Sequence, residues 1–456
     1  MGARLLRLSN ANVIFFVLTL LSPPVFAQYI PSGNWSSSNI SNWQRPSSTL
    51  DLDFVNDRYV VNGTSYSGIS NLISGVSASF ARSSAATYYN ASGILQTAAA
   101  GVPRLDYDPT TNQGKGLLIE ESSTNLAIYS QDFTQAAGYS GSSAVTAATA
   151  SGTAPDGTNT ANLVTASGTG LNFFRVSSIP ATTTMTHSIF AKSGSLTKVY
   201  FEFHDTTNCG SYCVASFDLT AKTASWSFAA TGEGQVSILR LPNGWFRLSA
   251  TYTYSSSVTQ GPAIYIGTYG TLAGNIYLWG AQLETKAFLT SYVATGSSTV
   301  TRSADIFSIP VGTWYNASSG TFSAETYGQA NSTQNGYGRI VGGDTSQAPL
   351  AFDASTGVIN SWDGTTVLKS TSFTPVATAT SWVRGAMAWD TTSQVRSISG
   401  SGLTAVSSTL ASNNFSFTNI GIGSSASGYD PINASVRRVT FFPTALSAAV
   451  VKDLSR

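Results

Sequence analysis

Apolar and polar residues alternate in short runs along most of this chain. The period is two at Val199-Tyr200-Phe201-Glu202-Phe203, at Ala215-Ser216-Phe217-Asp218-Leu219 and from Trp245 to Tyr252. It recurs from Thr321 to Tyr327 and from Trp382 to Trp389. That period places alternate side chains on opposite faces of a strand. Short apolar runs at Leu117-Leu118-Ile119, Ile264-Tyr265-Ile266 and Ile276-Tyr277-Leu278-Trp279 add further strands. Turn signals separate them: Asn62-Gly63, Asn90-Ala91-Ser92-Gly93, Pro155-Asp156-Gly157, Pro242-Asn243-Gly244 and Asp363-Gly364. The pattern predicts an all-β chain of antiparallel β-sandwiches, with a jelly roll in the middle. A helical period appears at the C-terminus. After a strand through Val439 to Phe442 and the breaker Pro443, Leu446, Val450 and Leu454 lie four apart and predict a helix over Ala445 to Leu454.

The first residues follow another pattern. Met1 to Asn12 carries Arg4 and Arg7 and no acid, and Val13 to Leu21 is apolar except for Thr19. Ser22-Pro23-Pro24 breaks the run, and Val25-Phe26-Ala27 precedes Gln28. This reads as a signal peptide over 1–27. The apolar run is short of the roughly 20 residues that span a bilayer. Export to a periplasm, cell surface or medium is expected, with no membrane span after processing. Residues 28–49, rich in Ser, Asn and Trp, read as a linker or arm. Three segments follow: a small β-rich module over 50–126, a sandwich over 127–296 and a second sandwich over 297–456.

Composition narrows the function. Charged residues are 10% of the chain and the net charge is +1, with Lys and Arg scattered, so no footprint for nucleic acid exists. The apolar fraction of 42% is spread throughout, which excludes a disordered chain. The two cysteines, Cys209 and Cys213, suit an oxidising compartment. On one straight strand they would stand about 13 Å apart, too far to bond. A turn through Gly210 and Ser211 makes a disulfide; two partly buried thiols are the alternative.

Three runs resemble a module set found in tail fibres, spikes and related proteins of bacterial viruses. Phe80 to Phe133, which contains GLLIEESSTNL, is similar to their N-terminal module. GWFRLSATYTY and IYLWGAQLE, within Gly244 to Glu284, resemble the second half of a carbohydrate-binding-like jelly roll. Asn419 to Leu454 resembles the last strands and helix of concanavalin A-like, laminin-G-like lectin domains. The resemblance implies a non-enzymatic structural protein that binds glycan, bacterial surface polysaccharide or another cell-surface partner, as a homotrimer in many such fibres. The export signal departs from the family pattern. It leaves open a secreted relative or a virion protein with a misread N-terminus.

Sugars are held by aromatic platforms flanked by Asn, Asp, Gln and Arg. Candidate platforms are Tyr265, Tyr269, Tyr327, Tyr337, Trp362 and Tyr429, with Asn360, Asp344 and Asp363 as polar partners. Trp362, Asp363, Asn360, Tyr337 and Asp344 form the expected ligand-binding set, because Asp363-Gly364 should turn the Trp362 ring toward solvent. No catalytic set emerges. Glu120 and Glu121 are neighbours on a strand and face opposite ways, so they cannot flank one bond. A buried hydrogen-bonding role for one of them, near Asn125 and Arg104, is expected instead. The Glu-x-Asp-x-Glu strand of concanavalin A-like glucanases is missing, and His187 and His204 are the only histidines. A secreted lyase or glycosidase with lectin-like ancillary domains remains the alternative. No cofactor is implied. Asp106 to Asp108 and Asp344 could hold a structural calcium, although carboxylates are common in turns without one.

Overall fold

The structure is a computed structural model. It describes residues 48–141, 145–168, 173–176, 184–205, 209, 212–228, 233–254, 262–267, 273–328, 337–344, 346–353, 355–372, 382–410 and 412–456. The expected signal peptide, most of the arm, Tyr269 and the Gly210-Ser211 turn lie outside the described residues.

Two antiparallel sandwiches make up the fold. In the smaller, one six-stranded sheet runs Tyr139–Gly141, Phe173–Val176, Ala263–Ile266, Lys198–His204, Tyr212–Asp218, Thr223–Phe228. The facing sheet runs Val145–Ala148, Asn162–Ala166, Gly274–Glu284, Thr184–Ser193, Trp245–Thr253, Glu233–Arg240. Alternation decides which side chains fill the space between them. Val199, Phe201 and Phe203 from one sheet meet Phe246, Leu248, Ala250 and Tyr252 from the other. Each large apolar side chain buried this way contributes about 1.5–3 kcal/mol. Cys209 and Cys213 are joined in this sandwich, with Cα atoms 5.4 Å apart.

The larger sandwich is discontinuous in sequence. Its ten-stranded sheet follows Thr64–Ser67, Arg58–Val61, Leu50–Asp53, Ala434–Phe442, Ser319–Tyr327, Trp382–Asp390, Val395–Gly400 and Val406–Thr409. Leu105–Tyr107 and Gly114–Ile119 attach to the same sheet through Ala434–Phe442. Its seven-stranded sheet runs from Val367–Lys369 through Val358–Trp362, Ala348–Asp353, Gly338–Gly342, Asn419–Ile422 and Ile306–Pro310 to Ser79–Ala81. The segment 50–126, expected as a module by itself, therefore supplies strands to both sheets of 297–456. Leu50, Leu52 and Phe54 share one core with Phe307, Phe322, Trp389 and Phe441. The middle sandwich is an insertion between the two parts, and Ser123–Asn125 pairs with Val300–Arg302 where the chain leaves and returns.

Two α-helices are present among the described residues. Ile69–Val76 packs Ile69 and Leu72 inward and has no counterpart in the sequence expectations. The C-terminal helix is Ala448–Leu454, shorter than expected, and it buries Val451 and Leu454 rather than a Leu446, Val450 and Leu454 stripe. The amides of Ala445 and Leu446 donate to Ser319 Oγ (2.8 Å) and Thr321 Oγ1 (2.9 Å), which hold those residues against the sheet and delay the first turn.

Candidate functional site

The run Gly116 to Leu126 ties the two sandwiches together. Glu120 lies 2.9 Å from Arg104 and 3.6 Å from Arg302, and it accepts hydrogen bonds from the Ser291 amide and hydroxyl at 2.7 and 2.6 Å. Burial alone would raise this carboxyl, but Arg302, Arg104 and Ser291 outweigh it and bring it down to about 2. Glu121 points the other way, to Lys286. Asp305 pairs with Arg82 at 3.0 Å and with Arg104, and accepts the Glu120 amide at 3.0 Å. Asn125 uses its whole amide: it donates to Ala281 and Val293 carbonyls and accepts from the Ala127 and Leu283 amides. The expected contact of Glu120 with Arg104 is present. Asn125 instead serves the backbone of the inserted sandwich.

Beside this junction a cleft of about 430 Å³ opens between the sandwiches. That volume suits a small ligand. Its floor is the outer face of the inserted sandwich, where alternation leaves polar residues: Ser237, Arg247, Ser249 and Thr251. Ser237 and Ser249 share a hydrogen bond of 2.7 Å, as do Thr251 and Thr186. Tyr88, Tyr89 and Tyr327 line the cleft, together with Asn433 and Ser435. Burial and the nearby Asp108 push the Tyr327 phenol up to about 12, so it is a neutral donor. The Tyr327 ring meets Trp382 edge-on at 5.2 Å, and Trp382 is 41% exposed. The Arg437 guanidinium covers the Trp382 ring at 3.4 Å from its centroid.

The acids lining the cleft, Asp106, Asp108 and Glu120, are all committed. Asp106 binds Lys115 and accepts the Tyr89 amide at 2.8 Å. Asp108 accepts the Thr110 and Thr111 amides at 2.7 and 3.0 Å and the Tyr327 hydroxyl at 3.3 Å. Glu120 stays ionised, so it has no proton to give at neutral pH. His187 is fully buried against Phe201 inside the inserted sandwich, away from the cleft. Each of the three cleft carboxyl groups is therefore engaged by protein partners.

Of the residues selected as sugar platforms or their polar partners, Tyr327 alone lines this cleft. Trp362 ends the strand Val358–Trp362, 36% exposed and in register with exposed Val367. Asn360 is two residues earlier, on the same face. Asp363 turns inward: it is 2% exposed, 2.8 Å from Arg396, and accepts the Thr365 and Thr366 amides. Burial favours its neutral form, but those amides and Arg396 overcome this and lower its pKa. Asp344 is spent on the Thr418 and Asn419 amides at 2.8 and 2.9 Å. Tyr337 adjoins the far end of its strand, beside Arg339 and Asp430. Tyr265 is buried, and its hydroxyl meets Glu202 at 3.3 Å. Tyr429 is 56% exposed.

Among the described residues no cluster of three or more His, Cys, Asp or Glu could hold a metal ion. The expected calcium carboxylates, Asp106, Asp108 and Asp344, have protein partners. No helix among the described residues is long and apolar enough to cross a membrane.

No family model matches the chain, and no curated protein matches it either. Among solved structures, the chain is similar to the CBM40 of Ruminococcus gnavus IT-sialidase bound to alpha2,6 sialyllactose. The identity is 13%, over 31% of this chain and 85% of that one, with a TM-score of 0.26. A Bacteroides ovatus protein proposed to bind carbohydrate is 15% identical over 61% of this chain and 77% of that one, with a TM-score of 0.25. Domains LG4-5 of the mouse laminin alpha1 chain are 10% identical over 68% and 92%, with a TM-score of 0.19. These likenesses are slight and carry no argument about ligand.

Proposed function

We propose that this chain is a non-enzymatic glycan-binding structural protein whose site is the cleft between the sandwiches. The observation that carries the reading is the lining: tyrosine walls, a hydroxyl-rich floor, and carboxylates already bound to protein partners. Tyrosine faces suit the apolar face of a sugar, and neutral hydroxyls and amides suit its hydroxyl groups. The tail-fibre and spike resemblance belongs to this reading, as do export, a surface glycan or bacterial polysaccharide as partner, and a homotrimer as the working assembly. A glycosidase of the paired-carboxylate kind needs two carboxyl groups free to act on one bond, and the cleft carboxyls are already bound to protein partners.

The test is retention on a panel of immobilised polysaccharides, with Tyr88→Ala beside the parent. The loss of one stacking face should weaken retention by about 0.5–1.5 kcal/mol beyond the buried area. A reducing-end and unsaturated-uronate assay on the same panel should stay at background. Release of products that stops on substitution of a cleft carboxylate would replace this reading with the enzymatic one.

A further inference from the structure

Arg247 is the least satisfied charge lining the cleft. It is 5% exposed, and among the described residues no carboxylate pairs with it. Its Nη2 donates to Ser188 Oγ at 3.3 Å, its Nε has no partner, and its guanidinium lies 5.2 Å from the Phe190 ring centroid. The Tyr89 hydroxyl, a neutral group, is the other polar atom close to the guanidinium. A buried cation held by hydroxyl groups and one ring is expensive unless an anion joins it. The other buried arginines of the junction, Arg82, Arg104 and Arg302, all have carboxylates. Arg247 sits on the cleft floor because residues 247, 249 and 251 share one face of Trp245–Thr253, opposite the core face of Leu248, Ala250 and Tyr252.

No other charged side chain of the cleft is paired with it in the described residues. Lys115 and Asp106 neutralise each other. Glu120 belongs to Arg104 and Arg302. Asp108 is held by two backbone amides and Tyr327. A planar guanidinium binds a carboxylate through parallel hydrogen bonds, which a neutral hydroxyl cannot reproduce.

Resting on the glycan-binding reading, we propose that the cleft takes an acidic saccharide and that Arg247 receives its carboxylate. Tyr88 and Tyr327 then flank the ring, and Ser237, Ser249 and Gln235 lie within the same lining to meet its hydroxyls. A hydrogen bond to a charged group makes the acidic sugar bind about ten- to a hundredfold more tightly than its neutral counterpart.

The experiment pairs each uronic-acid oligosaccharide with its carboxyl-reduced form and measures affinity for the full chain by calorimetry. Three proteins are compared: the parent, Arg247→Gln and Ser237→Trp. The parent should prefer the acidic member at least tenfold. Arg247→Gln should bind the acidic and the reduced member of each pair with equal affinity. Ser237 is exposed on the edge strand Glu233–Arg240, so Ser237→Trp fills the cleft without disturbing a core and should abolish binding of both. This second variant keeps the test open if Arg247→Gln fails to fold. Equal affinities for the two members of each pair would overturn the role of Arg247 and leave the glycan reading standing. So would a preference that survives Arg247→Gln. Acidic-sugar binding that survives Ser237→Trp would place the carboxylate site elsewhere. Binding of neither member by the parent would remove the glycan reading itself.

Discussion

Asp305 is fully buried and serves Arg82, Arg104 and the Glu120 amide at once. Removing its charge leaves buried guanidinium groups uncompensated, so Asp305→Asn should lower stability by about 3–5 kcal/mol in denaturant unfolding. The same junction sets an acid limit. Glu120 ionises at about 2 when folded, against 4.5 for an ordinary glutamate. Its contribution is complete above 4.5 and is lost as pH falls toward 2. His187 is neutral in the core, and burial pulls it from 6.5 to about 3. Below 6.5 the unfolded chain takes up a proton that the folded chain refuses, so stability falls from there toward 3. The His187→Leu variant should flatten the upper part of this profile between pH 6.5 and 5. An unchanged slope would assign the loss to other groups. Trp362→Ala should change stability by less than about 1 kcal/mol, since the ring is on the surface. The Asp363-Gly364 turn and its exposed neighbour Trp362 were legible in the sequence. The inward aim of Asp363 was not, because a turn signal is local and Arg396 is distant in sequence.

Strand alternation in the sequence maps onto the core with few exceptions. The same alternation carried the cleft floor: Arg247, Ser249 and Thr251 are the polar positions of Trp245–Thr253. Their meaning was hidden because a polar outer face normally meets solvent, whereas here other elements partly cover it. The helix Ile69–Val76 had its signal too, in Ile69, Leu72, Ile73 and Val76, but it lies among strong turn and strand patterns. Gly116 marks the closest approach in the junction. Its φ is +107°, and a Cβ there would lie 2.2 Å from the Val436 carbonyl oxygen. Gly116→Ala should break the pairing of Gly114–Ile119 with Ala434–Phe442, with a Tm loss larger than that of Asp305→Asn if both clash and φ strain are paid. A Tm equal to the parent would mean that this pairing is dispensable.

At the scale of the whole molecule, the pairing of residues near 50 with residues near 440 governs the behaviour of fragments. Leu50–Asp53 lies directly beside Ala434–Phe442, and Asp51 binds Arg438 across 387 positions of sequence. Periodicity reports which residues form strands; it holds no information on partners so far apart, so 50–126 read as a separate module. The fragment 297–456 alone should therefore fail to unfold cooperatively, while 48–125 joined to 300–456 by a short linker should do so. Asn125 and Val300 are already register partners, so the joint needs little reach. Cooperative folding of 297–456 by itself would contradict the shared core.

The central claim is that the cleft between the sandwiches binds glycan and leaves it intact. It is tested most directly by incubating the parent and Ser237→Trp with a polysaccharide panel, then measuring both the amount retained and the chain length of the recovered polymer. The parent should be retained, Ser237→Trp at least tenfold less, and the chain length should be unchanged with both. Equal retention by the two proteins, or a shortened polymer, would contradict it.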